Sequence, residues 1–281
     1  MPCASATCDG TSAAQSQARR ETILFLHGSL GNGNDWRRTV TALGTRYRCL
    51  APDLIGYGAS TPWPKGVPFT LEAERVVLEP LLACCADTFH LVGYSYGGVV
   101  ALDLALAHPN RVRTLTLIEP VLFNLLREAS KELAFQQFAH TRDDFVTAIA
   151  QGPAEHALRS FLDFWAGRGA WDKLPPEVRA DMLGAVDKVA LDWEAAFAFA
   201  PSSQSLAALG SRTLLLRGDR SPPGMLELVD TLHALMPGST RCIIAGANHL
   251  LPMARTADVT QAIRLHLHAG VNDRCPDRGG A

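Results

Sequence analysis

Short, unbroken apolar runs alternate along this chain with longer stretches whose apolar residues recur at helical spacing. The runs are Thr22 to Leu26, Tyr47 to Ala51, Phe89 to Val92, Val112 to Ile118, Thr213 to Leu216 and Arg241 to Ala245. Runs this short and this apolar predict strands, and the Thr22 to Leu26 run predicts one buried on both faces. Asp35 to Leu43, Thr70 to Cys85, Tyr96 to Ala107, Gly224 to Leu235 and Val259 to His268 carry the helical period, with Asp35 and Thr70 placed to cap. Asp53 to Pro68 is rich in Gly and Pro and reads as loop.

Alternating strands and helices imply a mostly parallel sheet with helices on both faces, the α/β class. Val121 to Ser205 breaks the alternation. It has amphipathic stretches, no convincing strand, and Trp165, Trp171 and Trp193. The expected organisation is therefore an α/β core from 21–120 and 206–270, a helical insertion at 121–205, and disordered tails at 1–20 and 271–281.

Composition narrows this picture. The 281 residues are 47% hydrophobic and 19% charged, with a formal net charge of −2. That balance can bury a sizeable core, and no long basic run invites nucleic acid or an anionic membrane. The first 20 residues lack the apolar stretch of a signal peptide, and no apolar run has membrane-spanning length, so the expected address is the cytoplasm. Seven cysteines at irregular spacing make no pair of Cys-x-x-Cys units, so no metal site is expected. Cys49 and Cys242 read as small core residues, and Cys84 and Cys85 as reduced thiols at a helix end.

The chemistry concentrates in one segment. Phe89 to Val92 runs into Gly93-Tyr94-Ser95-Tyr96-Gly97 and then into an apolar helix. Gly-x-Ser-x-Gly between a strand and a helix predicts a sharp turn that lifts the serine side chain off the strand end. The helix then aims its N-terminal amides at the place where an oxyanion would develop. A serine hydroxyl needs a base to become nucleophilic. Among nine histidines, His249 follows a strand in a small-residue turn and precedes the last helix, which fits a general base. His27 is the rival. The other seven sit on helices or at element ends, where solvated or structural roles fit better.

These pieces, in this order, resemble the α/β-hydrolase superfamily, over roughly residues 22 to 268. His27-Gly28-Ser29-Leu30-Gly31 resembles its oxyanion loop, Asp53-Leu54-Ile55-Gly56-Tyr57-Gly58-Ala59-Ser60 its Asp-x-x-Gly-x-Gly-x-Ser turn, and Gly246-Ala247-Asn248-His249 its histidine loop. The resemblance implies that the insertion is a cap over the strand ends, and that His27 supports its loop. It implies two oxyanion amides, one from Tyr96 and one from the turn after His27: Ser29, with Leu30 the other choice. Asp53 reads as a loop-organising carboxylate.

The triad acid departs from the family pattern. After Thr213 to Leu216 the family usually carries Gly-x-x-Asp, but here Gly218-Asp219-Arg220-Ser221 puts Ser221 at the acid's place. Two carboxylates remain: Asp219, two residues early, and Glu119, at the end of the strand that follows the nucleophile's helix. Some relatives, certain haloalkane dehalogenases among them, place the acid there, and Glu119 is preferred, with Asp219 the alternative.

The expected function is serine-dependent hydrolysis of small, largely apolar esters through an acyl-enzyme, with no cofactor. The same machinery serves C–C bond hydrolases, thioesterases, amidases and cofactor-free haloperoxidases, and some relatives keep the triad as ligand receptors. A dehalogenase is disfavoured because its nucleophile is a carboxylate. A purely structural protein has no use for the serine turn and the histidine loop.

Overall fold

A computed structural model describes residues 20–268. The expected tails apart from Arg20, with Cys3, Cys8 and Cys275, lie outside the described residues; Arg20 donates to Gly44 O at 3.0 Å. Six strands form one parallel sheet: β1 (Thr22–Leu26), β2 (Arg48–Leu50), β3 (Phe89–Tyr94), β4 (Val112–Ile118), β5 (Thr213–Gly218) and β6 (Thr240–Ile244), in the order β2-β1-β3-β4-β5-β6. The chain leaves β1 toward β2 on one side, then crosses back to β3 on the other. The carboxyl ends of β1 and β3 therefore flank the point where strand order reverses, and open α/β sheets bind ligands in the crevice there.

The apolar runs explain the layers. In β1, Ile23 and Phe25 point to one face and Leu24 and Leu26 to the other, and all four are fully buried. Ile23 and Phe25 join Val92, Ile118 and Leu216 with Trp36, Val259 and Ile263 from the first and last helical segments. Leu24 and Leu26 join Leu91, Leu117 and Leu215 with the Tyr96–Ala107 helix, in a core that continues without a break into the insertion. Cys49 and Cys242 are only half-buried, not core residues, because β2 and β6 are the edges of the sheet. Cys84 is exposed just after the Leu71–Ala83 helix, and both it and half-buried Cys85 are free thiols.

Two caps differ from expectation. Asn32, not Asp35, is the N-cap of the 3-10 turn Gly33–Trp36. Asp35 closes the capping box from inside by accepting from the Asn32 backbone N–H at 3.2 Å. Thr70 has the extended backbone of an N-cap, but its hydroxyl makes no capping bond.

Six α-helices lie between β4 and β5: Ser203–Leu209 leads into β5, and the other five, Asn124–Glu128, Glu132–Gln151, Ala154–Ala166, Pro176–Gly184 and Val186–Ala198, form the insertion. Their inward faces are aromatic. Phe123 stacks on Trp193 at 5.0 Å between centroids, and Phe138 on Trp165 at 5.8 Å. This insertion covers the carboxyl ends of the strands as a cap. No helix among the described residues is long and apolar enough to cross a membrane.

Candidate active site

Ser95 sits in the hinge between β3 and its helix, at φ 53° and ψ −119°. An L-residue held there stores strain of about 1–3 kcal/mol, which surrounding bonds must offset. The Ser95 N–H donates to Ile118 O at 2.9 Å, and Ser95 O accepts from Gly98 N–H at 3.0 Å. Gly93 and Gly97 make the turn possible: a Cβ on Gly93 would strike the Gly97 carbonyl, and one on Gly97 the carbonyls of Leu26 and His27. The nucleophile turn thereby packs directly on the end of β1.

Glu119 follows the neighbouring strand β4 and is also forced to positive φ, at 43°. Its N–H donates to Leu216 O, which ties this bend to β5. The carboxylate is fully buried and accepts three hydrogen bonds. Gly218 N–H (2.7 Å) and the Ser221 hydroxyl (2.6 Å) reach Oε1, and His249 Nδ1 reaches Oε2 at 2.7 Å. Ser221, standing where the family usually carries its acid, supplies a donor to Glu119.

His249 comes from the loop after β6. Gly246 turns that loop at φ 72°, and Asn248 anchors it to the cap by donating to Ala166 O at 3.0 Å. With Nδ1 committed as donor to a carboxylate, Nε2 is left as the acceptor. The Ser95 hydroxyl lies 3.0 Å from it. The Trp165 ring covers the imidazole at 4.1 Å between centroids. The structure thus brings Ser95, His249 and Glu119 into one chain of hydrogen bonds. Asp219 stays outside it: exposed, it accepts from Gly246 N–H at 2.7 Å.

His27 is buried and spent on its own loop. Nδ1 pairs with Gly28 O at 2.8 Å while Nε2 accepts from Leu54 N–H at 2.9 Å. Burial pushes its pKa down to about 4, so the neutral ring is the stable one. Asp53 gathers the adjoining loop by accepting from Gly33 and Ala59 N–H, both within 2.8 Å. Among the described residues no three His, Cys, Asp or Glu side chains are grouped to hold a metal ion.

Two cavities meet at Ser95. The inner is lined by Phe123, Phe161, Trp165 and Trp193, with Ser29 and Asp192 as polar walls. The larger outer one passes His249, Leu30, Leu174 and Met182. Asp35 lines its mouth, and burial pushes that carboxyl up to about 6. Of the apolar cap residues, Phe123, Phe161 and Trp165 line the inner cavity. Leu125, Leu126 and Phe138 belong to the packed core.

Sequence reading misses a polar cluster beneath the cap. Asp192, from the Val186–Ala198 helix, accepts from the Ser29 hydroxyl at 2.6 Å and from Tyr57 at 2.5 Å. Lys188, one turn earlier, pairs with Asp192 and with Glu74, the latter at 3.1 Å. All three charged groups are buried. Burial raises both carboxyl pKa values, and Lys188 opposes the rise. The one local sign was the i,i+4 spacing of Lys188 and Asp192.

A family model described as "alpha/beta hydrolase fold" matches residues 21–255. Among curated proteins, the probable lysophospholipase BODYGUARD 4 of Arabidopsis thaliana is 38% identical over 123 residues. That stretch is 41% of this chain and spans 28% of the plant protein's length. Lipase LipV of Mycobacterium tuberculosis is 27% identical over 258 residues, 87% of this chain and 92% of the relative. Among solved structures, a hydrolase from Pseudomonas aeruginosa has a TM-score of 0.72 at 22% identity, covering 94% of this chain and 92% of the other.

Proposed function

The chain belongs to the family of the alpha/beta hydrolase fold, and from that premise we propose that it hydrolyses small, largely apolar esters with Ser95 as nucleophile. The observation that carries this reading is the hydrogen-bonded sequence Ser95–His249–Glu119, set at the carboxyl ends of strands β3, β6 and β4. In the proposed reaction His249 Nε2 takes the Ser95 proton as Oγ attacks the ester carbonyl. Glu119 holds the tautomer and stabilises the imidazolium that forms. His249 then returns the proton to the leaving alcohol, and water, activated by the same ring, releases the acid from the acyl-enzyme.

The oxyanion falls to the amides of Tyr96 and Ser29. Tyr96 opens its helix, where an N–H has no partner in the preceding turn. Ser29 is taken as the second donor from its place directly after Gly28 in the turn that follows β1. The stoichiometry needs only water, so the proposed partner is a small-molecule substrate and no cofactor takes part. The aromatic inner cavity supports an apolar acyl or alkyl group. The names of the mycobacterial lipase and the plant lysophospholipase point the same way.

The test is a panel of activated esters, thioesters and amides of graded chain length, given to wild type and Ser95→Ala. Ester turnover in wild type, with a loss of about 10⁴-fold or more in the variant, is expected. Turnover unchanged in Ser95→Ala, or confined to amides, overturns the proposal.

A further inference from the structure

Ser29 carries two functions on one residue, and they point in different directions. Its amide belongs to the turn after β1, where the proposed oxyanion site lies. Its hydroxyl reaches across 163 residues of sequence to the cap carboxylate Asp192, at 2.6 Å. Tyr57, from the loop that His27 ties to this same turn, donates to the same oxygen of Asp192. The other oxygen is held by Lys188.

This arrangement is poorly suited to binding a substrate cation. Both Asp192 oxygens already have protein donors, and the adjacent ammonium neutralises the charge. Lys188 is itself enclosed by the rings of Phe69 at 4.3 Å and Tyr96 at 4.6 Å, besides Glu74. Mere attachment of the cap does not call for it either, because the aromatic core already joins cap to sheet. What the cluster does uniquely is fix one side chain of the oxyanion turn. Leu30, the next residue, is at φ 63°, a conformation an unsupported loop readily leaves. A peptide plane rotated by a few tens of degrees no longer aims its N–H at a developing oxyanion.

We propose that Asp192 is a positioning residue: through the Ser29 hydroxyl it sets the orientation of the oxyanion-hole amide, so that this part of the site is completed by the cap. The inference rests on the ester-hydrolase reading above. It also separates two jobs of the cap, since the aromatic rings receive the apolar group while the Val186–Ala198 helix trims the geometry of catalysis.

The experiment is a double-mutant cycle of Ser29→Ala and Asp192→Asn, assayed on an acetyl ester whose acyl group is too small to depend on the cap's apolar lining. Loss of one oxyanion donor typically costs about 10²–10³-fold in kcat, so a donor that is misaimed rather than deleted should cost about tenfold. Each single variant is expected to lose about tenfold in kcat, with KM within about twofold, and the double variant no more than the larger single loss. Thermal unfolding of each protein is read alongside. Wild-type kcat in Ser29→Ala overturns the proposal, whatever happens to stability. A double variant that loses about a hundredfold also overturns it, since the residues then act independently. Ser29→Ala removes one hydroxyl from a half-buried turn, so the decision does not depend on Asp192→Asn folding. Turnover of the same ester by wild type and by Ser95→Ala is recorded alongside. Equal turnover in the two removes the ester reading itself, whereas turnover lost in Ser95→Ala with unchanged Ser29→Ala kcat removes only this inference.

Discussion

Glu119 and Asp192 are both buried carboxylates beside the Ser95 site, and each accepts three hydrogen bonds. Glu119 takes them from Gly218 N–H, Ser221 and His249; Asp192 takes them from Ser29, Tyr57 and Lys188. The difference lies in the third partner. Lys188 is a standing cation, so the charge of Asp192 is compensated before any reaction starts. His249 is neutral until it receives a proton. A carboxylate waiting beside a neutral imidazole stabilises the state in which that ring becomes charged more than the state before it, and only such differential stabilisation speeds a chemical step. On the proposed reading, the same residue class serves chemistry on one side of Ser95 and architecture on the other.

The largest effect that can break this comparison is on rate. Glu119→Gln should lower kcat by about 10³–10⁴-fold with KM little changed, as steady-state kinetics on an activated ester will show. Near-normal activity would mean that Glu119, too, is structural. On the other side, Lys188→Met should strike stability first. It strands two buried carboxylates, which costs about 3–5 kcal/mol in urea unfolding. A loss below about 1 kcal/mol would show that Glu74 and Asp192 need no standing cation.

A third effect concerns acid. The His27 imidazole is held near 4 against an ordinary 6.5. Between those values the unfolded chain binds the extra proton and the folded chain does not. The contribution of His27 is thus complete above pH 6.5 and lost as pH falls to 4, about 3 kcal/mol in all. Unfolding free energy measured across that window checks it: His90 and His266 are also held near 4 by burial, so His27→Gln, whose side chain does not titrate, should reduce the slope without abolishing it. Smaller still, Ser221→Ala removes one of three donors to Glu119 and should cost about tenfold in kcat. Asp219→Asn, at an exposed loop bond, should stay within about twofold.

How legible each part was follows from sequence distance. The Tyr96–Ala107 helix and strand β4 have the bounds their apolar pattern implies, because local periodicity and Pro109 define them. Ser95 and His249 are marked by short loops whose small residues have local geometric reasons. Glu119 could be named from its strand end, but its choice over Asp219 depended on where two loops meet. Ser221 looked like a gap in a pattern, and its role as donor is visible only once β4 and β5 lie side by side. Asp192 was invisible for the same reason, with 163 residues between it and Ser29. The half-burial of Cys49 and Cys242 likewise depends on strand order, which apolarity alone does not encode.

The central claim is that Ser95 carries the acyl group during turnover. Rapid acid quenching of wild type with an activated ester, followed by intact-mass and peptide measurement, tests it most directly. The account predicts one acyl group per chain, on the peptide containing Ser95, and none in Ser95→Ala. An acyl group on another residue, or undiminished turnover by Ser95→Ala, would contradict it.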